Sequence, residues 1–175
     1  MYETPEQLGG LQDLLDRSFA GSSEHLRSIM EPQRRLTAAR LSAELPSPAV
    51  LNIATVTAHG EPRVSAVDGH FLYGRWHFTT EANSPKARHL VARPSISASY
   101  TPRDGYGVFA HGRAELLDGA DRQMLHDHFA ATYGVEPETL GAIAYFRVTP
   151  HWMTGFAMTA EETAAIEAER SARAE

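Results

Sequence analysis

The chain opens on an apolar rhythm of threes and fours. Leu8, Leu11, Leu14 and Leu15 share one helical face behind Thr4-Pro5-Glu6-Gln7. That start combines a threonine cap, a proline at the first helical position and a glutamine placed to close a capping box. The spacing predicts an amphipathic helix over 5–17. Gly21-Ser22-Ser23 breaks it. A second helical stretch then runs to about Leu45, restarted at Pro32 and stopped by Pro46-Ser47-Pro48. Residues 1–46 therefore read as a helical N-terminal arm.

From Val50 the period shortens to two. "VLNIATVT" is β-branched and apolar, "HGEP" turns, and "RVSAV" alternates, which predicts a hairpin. "HFLYGRWHFTT" supplies two more short strand pieces around Gly74, and "RPSISASYT" another. "YGVFAHGRAELL" is a long strand whose glycines suggest bends or bulges. Helices are predicted over 84–91 and 120–132, the latter with Leu125, Phe129 and Tyr133 along one side. "IAYFRVTPHWMTGFAM" gives the last strands and closes a unit spanning 48–158. The stretch 159–175 is Ala/Glu-rich, a helix of weak apolar character or a frayed end. Six or seven closely spaced strands with few helices between them predict an α+β fold, an antiparallel barrel or sandwich with helices packed outside.

Composition narrows the chemistry more than the fold. With no cysteine, thiolate metal sites and thiol catalysis are excluded. A net charge of -6 without a dominant basic face argues against a nucleic-acid partner. No apolar run reaches membrane-spanning length and no basic-then-apolar leader pattern is present, so the expectation is a cytoplasmic protein without a membrane partner. The phosphate-loop, dinucleotide-glycine and Gly-x-Ser-x-Gly patterns are all missing. The nine histidines are scattered, and His126 and His128 stand two apart on nearly opposite helix faces, so no metal site is expected.

One stretch breaks a local rule. In "TTEANSPKARHL", residues 79–90, Ser84-Pro85 starts a helix whose first turn carries Lys86 and Arg88. Cations oppose the positive end of a helix dipole unless an anion sits there. With a phosphate in place, the helix amides, the Thr79 and Thr80 hydroxyls and these cations act together. The alternative is a solvated surface helix whose Lys and Arg point away.

The ordered pieces "GEPRVSAV", "WHFTT", "SPKARHLVARPSISASY" and "VFAHGRAEL" resemble the pyridoxamine 5'-phosphate oxidase-like flavin-binding split-barrel family, which includes flavin- and deazaflavin-dependent oxidoreductases. The resemblance covers residues 48 to 118, and more loosely the strands to about 157. It implies a six-stranded antiparallel split barrel that forms a homodimer with FMN at the interface. The 8-hydroxy-5-deazaflavin coenzyme is the alternative, and haem a further one. By position, Arg63, Val64 and Ser65 would line the ring and ribityl chain. Phe78, Thr79 and Thr80 would lead to the phosphate, and Ser84, Lys86 and Arg88 would hold it. The 106–113 strand and Trp152 would approach from the partner subunit. The Gln and Arg-plus-Trp pattern of true pyridoxamine phosphate oxidases is not visible, so no vitamin B6 substrate is assigned. The implied activity is hydride transfer to or from a small organic substrate, with Tyr100, Tyr106 and His111 as positional proton-donor candidates. The contrasting reading is a non-catalytic flavin- or haem-binding module.

Overall fold

The computed structural model describes residues 2–174. Its centre is a closed barrel of six antiparallel strands: β1 (Ala49–Val56), β2 (Pro62–Leu72), β3 (Arg75–Glu81), β4 (Ser95–Tyr100), β5 (Tyr106–Leu116) and β6 (Ile143–Ala157). Around the barrel the order is β1-β2-β3-β6-β5-β4. Six helices surround it: α1 (Pro5–Ala20), α2 (Glu24–Ile29), α3 (Ala38–Glu44), α4 (Pro85–Ala92), α5 (Gly119–Tyr133) and α6 (Ala160–Ala174). This is the α+β split barrel that the strand spacing and the resemblance implied.

The strands are fewer and longer than the pattern suggested. "RVSAV" and "HFL" are one strand, because Asp68 and Gly69 continue the ladder: Val50 pairs with Asp68 and Ala49 with Gly69. "IAYFRVTPHWMTGFA" is likewise a single strand of 15 residues. Pro150 cannot donate a ladder hydrogen bond, and it is tolerated because β5 shifts register there, between His111 and Gly112. A Cβ on Gly112 would stand 2.2 Å from the Thr149 carbonyl oxygen, so only glycine fits that crossing.

The capping box at Thr4 forms as read: the Thr4 side chain takes the Gln7 amide at 3.3 Å and the Gln7 side chain takes the Thr4 amide at 2.9 Å. α1 then continues past Arg17 to Ala20. The second helical stretch divides into α2, a 3-10 turn at Pro32–Arg34, and α3. These arm helices pack on the barrel. Leu11, Leu15, Leu36 and Leu41 join Leu51, Phe78 and Phe146 in one apolar core, and Ser18 Oγ takes the Met153 amide at 2.9 Å. A second cluster, Leu72, Leu117, Leu125, Phe129 and Tyr145, lies under α5. The outer face of β1 and of the first half of β2 leaves Val50 66% and Val64 74% exposed, while α5 covers the second half of β2 through His70 and Leu72.

Candidate functional site

The end of β3 and the start of α4 bring Thr80, Ser84 and the first turn of α4 together. Ser84 caps α4, taking the Ala87 amide at 3.3 Å, and its hydroxyl lies 3.2 Å from Thr80 Oγ1. Pro85 occupies the first helical position, and the first turn holds no acidic residue. The Lys86 amide finds no acceptor among the described backbone bonds, and its side chain is half-buried beside it. Arg88 turns back over the same end, its guanidinium donating to the Asn83 carbonyl. The helix end thus gathers hydroxyls, an amide and two cations, the donor set a phosphate monoester requires.

Other expected residues divide by strand geometry. Side chains alternate across a strand, so Arg63 and Ser65 share one face of β2 while Val64 takes the opposite, exposed face. Arg63 pairs with Glu61 at 2.8 Å, at the β1–β2 turn. Phe78 has no exposed surface and stacks on Phe146 with ring centroids 5.3 Å apart. It is a barrel-core side chain, which corrects its placement along a cofactor. Thr79, next to it, faces outward and is half-buried.

Trp152 is not brought to this group within one chain. Thr79 pairs with Tyr145 of β6, and Trp152 lies further along that strand, roughly 23 Å away at the usual rise per residue. There it pairs with His111 and stacks on its ring at 4.8 Å. His111 Nδ1 lies 2.8 Å from Ser97 Oγ. Tyr106 is 8% exposed, and burial pushes its phenol pKa up. Tyr100 lies against it, ring centroids 6.1 Å apart.

The structure assembles a chain of polar groups that sequence reasoning missed. Tyr133 OH donates to Asp68 Oδ2 at 3.1 Å and lies 3.2 Å from His70 Nε2. His70 Nδ1 lies 3.0 Å from His128 Nε2 and 2.9 Å from Ser47 Oγ. One tautomer choice satisfies every step: His128 donates to His70, His70 to Tyr133 and Tyr133 to Asp68. Burial, with His128 adding to it, lowers the His70 pKa to about 4. Burial also lowers His128 and raises the Tyr133 phenol, Asp68 reinforcing that shift. Both imidazoles are therefore neutral near pH 7. The chain opens on a cavity of about 410 Å³ that Asp68 and Tyr133 line together with Thr79 and Leu140. Its members lie on β2, α5 and the loop before β1, and no local motif links them. The one legible hint was Tyr133, placed on the face of α5 that carries Leu125 and Phe129.

His126, set aside in the sequence as half of a badly spaced pair, meets glutamates instead. Its Nε2 lies 2.9 Å from Glu138 and 3.6 Å from Glu136, and the three could offer ligand atoms within 4.8 Å of one another. Arg122 also pairs with Glu138 at 3.1 Å, and the carboxylates raise the His126 pKa. With Arg122 and His126 both on Glu138, this group is a hydrogen-bonded and ion-paired network on the surface.

A larger cavity, about 540 Å³, lies on the other side of the barrel, between the outer faces of β5 and β6 and helices α2 and α6. Phe109, Trp152 and Phe156 form its floor.

Residues 37–157 match the family model described as pyridoxamine 5'-phosphate oxidase. A comparison with curated proteins finds no match. Among solved structures, a conserved protein of Mycobacterium tuberculosis superposes with a TM-score of 0.62 at 16% identity, over 73% of this chain and 89% of that one. A FAD-binding protein from Mesorhizobium loti gives 0.55 at 18% identity, over 72% and 98%. A protein named F420 reductase gives 0.50 at 22% identity, over 64% and 94%. At these identities the superpositions show a shared fold, and the family match, spanning well over half of the sequence, shows descent: the chain belongs to the pyridoxamine 5'-phosphate oxidase family of split barrels.

Proposed function

We propose that this chain is an FMN-dependent oxidoreductase that works as a homodimer, with the 8-hydroxy-5-deazaflavin coenzyme as the alternative cofactor and a small organic molecule as substrate. The observation that carries this reading is the start of α4, where Thr80, Ser84 and the Lys86 amide converge beside two cations with no acid in the first turn. That donor set fits a terminal phosphate. It gives the misplaced charge of "SPKAR" a purpose, since Lys86 and Arg88 add to the helix dipole only when an anion is bound.

A bound flavin supplies hydride acceptance and donation, which explains why the chain carries no conventional nucleophile. The chain's own residues hold, orient and enclose. Ser84 and Lys86 fix the phosphate end, with Thr80 beside Ser84; Arg63 and Ser65, on one face of β2, are the residues offered to the ring and ribityl chain. In a two-fold pair built on the bare outer face of β1 and the first half of β2, Trp152 of the partner subunit would close over the ring from the far side. Asp68, at the cavity mouth beside Thr79, is the group placed to exchange a proton with a bound molecule. The Tyr133–His70–His128 chain would restore that proton from outside.

The test is titration of the purified protein with FMN, with the deazaflavin and with haem, following ligand fluorescence for the flavins and absorbance for haem. Lys86→Ala should weaken binding of the phosphate-bearing cofactor by ~1.5–3 kcal/mol, the range for a hydrogen bond to a charged group. Wild-type affinity in that variant removes the phosphate from α4. Binding of haem alone replaces the oxidoreductase with a haem-handling module.

A further inference from the structure

The stretch matching the family ends at Ala157 and begins at Thr37, yet half of the residues lining the 540 Å³ cavity lie outside it. Leu26, Ile29 and Met30 come from α2 and its end, and Met158, Ile166 and Arg170 from the other terminus. The family barrel supplies the floor, and the two terminal extensions supply walls and roof. We propose that these extensions build a binding pocket for a neutral, planar aromatic molecule of two or three fused or linked rings, which serves as the substrate. The substrate role rests on the oxidoreductase reading; the pocket and its ligand class do not.

Shape comes first. The floor is made of two flat pairs: Phe109 lies nearly parallel to Phe156, 15° apart with centroids at 6.4 Å, and His111 to Trp152, 20° apart at 4.8 Å. Parallel π-faces favour another flat ring laid against them over a branched or extended aliphatic chain. The volume lies within the range that encloses most of a small organic ligand.

Charge then limits the class. Two arginines border the cavity, and both are already paired. Arg34 binds Glu162 through Nη2 at 2.6 Å and Nε at 2.9 Å, and Arg170 binds Asp104. Thr154 is engaged with Met30 Sδ at 3.3 Å and His111 Nδ1 lies 2.8 Å from Ser97 Oγ, which leaves His111 Nε2 and the Trp152 indole N–H as the neutral polar atoms on the floor. An anionic ligand would have to break one of these pairs, and a strongly polar one would find few partners. The same two ion pairs hold α6 down at both ends of its span over the cavity. What remains available is chiefly apolar and aromatic surface, with no unpaired charge.

N-phenyl-1-naphthylamine, a neutral probe that fluoresces in apolar sites, tests this directly on the full chain, with its anionic relative 1-anilinonaphthalene-8-sulfonate as the contrast. The neutral probe should bind saturably and at least about tenfold more tightly than the anion, as an unpaired charge is disfavoured in such a site. Ile29→Glu on α2 and Ile166→Glu on α6 should each weaken it at least about tenfold, with circular dichroism and FMN titration unchanged. Because the two substitutions lie on separate helices, a folding defect in one leaves the other decisive. Equal binding of both probes overturns the neutral class, and unaltered binding in both variants overturns the pocket. Displacement of the probe by FMN assigns the cavity to the cofactor and overturns a substrate role. Failure of FMN to bind at all, with the probe pattern intact, overturns the flavin reading and leaves the pocket standing.

Discussion

A neutral histidine with no exposed surface makes stability depend on pH. His70 and His77 are both held to a pKa of about 4, in each case chiefly by burial. In the unfolded chain they regain the ordinary value near 6.5. Between these limits the unfolded state binds protons that the folded state refuses, so stability is full above about pH 6.5 and falls as the pH drops towards 4. Each group accounts for up to roughly 3 kcal/mol. Urea unfolding at pH 7 and pH 4.5 should show the loss, and His70→Gln should reduce it; a flat profile across this window would refute the assignment. His70 could not be singled out from the sequence, since its partners Ser47, His128 and Tyr133 are distant in the chain. Ser84 and Lys86 could be, because a cap, a proline and a wrong-end cation are adjacent letters. The inward position of Phe78 is not legible in the sequence, since proximity to Thr79 says nothing about which face of a strand a ring occupies.

The helices were legible and the strand lengths were not, for a physical reason. A capping box or an N-terminal proline is written within four residues, whereas a strand's extent depends on a partner elsewhere in the chain. Asp68 and Gly69 look like a turn until β1 is laid beside them, and Pro150 looks like a stop until Gly112 is seen to yield the room. That pairing gives a sharp prediction. Gly112→Ala would drive a methyl into the Thr149 carbonyl, with Pro150 Cα also only 2.7 Å away. The expected cost is about 1–3 kcal/mol, with the barrel seam disturbed between β5 and β6. Chemical denaturation measures it, and an unchanged midpoint would mean that the crossing relaxes freely.

At the scale of the molecule, the helices cover the barrel unevenly. α1 and α3 lie against one side, α5 covers the β2–β3 side, and the outer faces of β1 and the first half of β2 remain bare, with Val50 and Val64 outermost. If that face joins two copies, Val64→Glu should convert a dimer to a monomer in analytical ultracentrifugation and weaken cofactor binding with it. A dimer that survives the substitution would place the interface elsewhere. Within each copy, β6 runs as one unbroken strand from the partner of Thr79 to the floor of the aromatic cavity, and the irregularity at Gly112 and Pro150 sits between the two. That irregularity works as a frameshift in the side-to-side alternation. Deleting His151, the residue left without a partner on β5, would restore a plain ladder with Trp152 still facing out opposite His111 and Met153 still facing in opposite Ala110. The single extra residue thus lets the inward positions change from Ala144, Phe146 and Val148 before it to Met153 and Ala157 after it, and the loss of one residue at that point would be absorbed without turning either half of the strand.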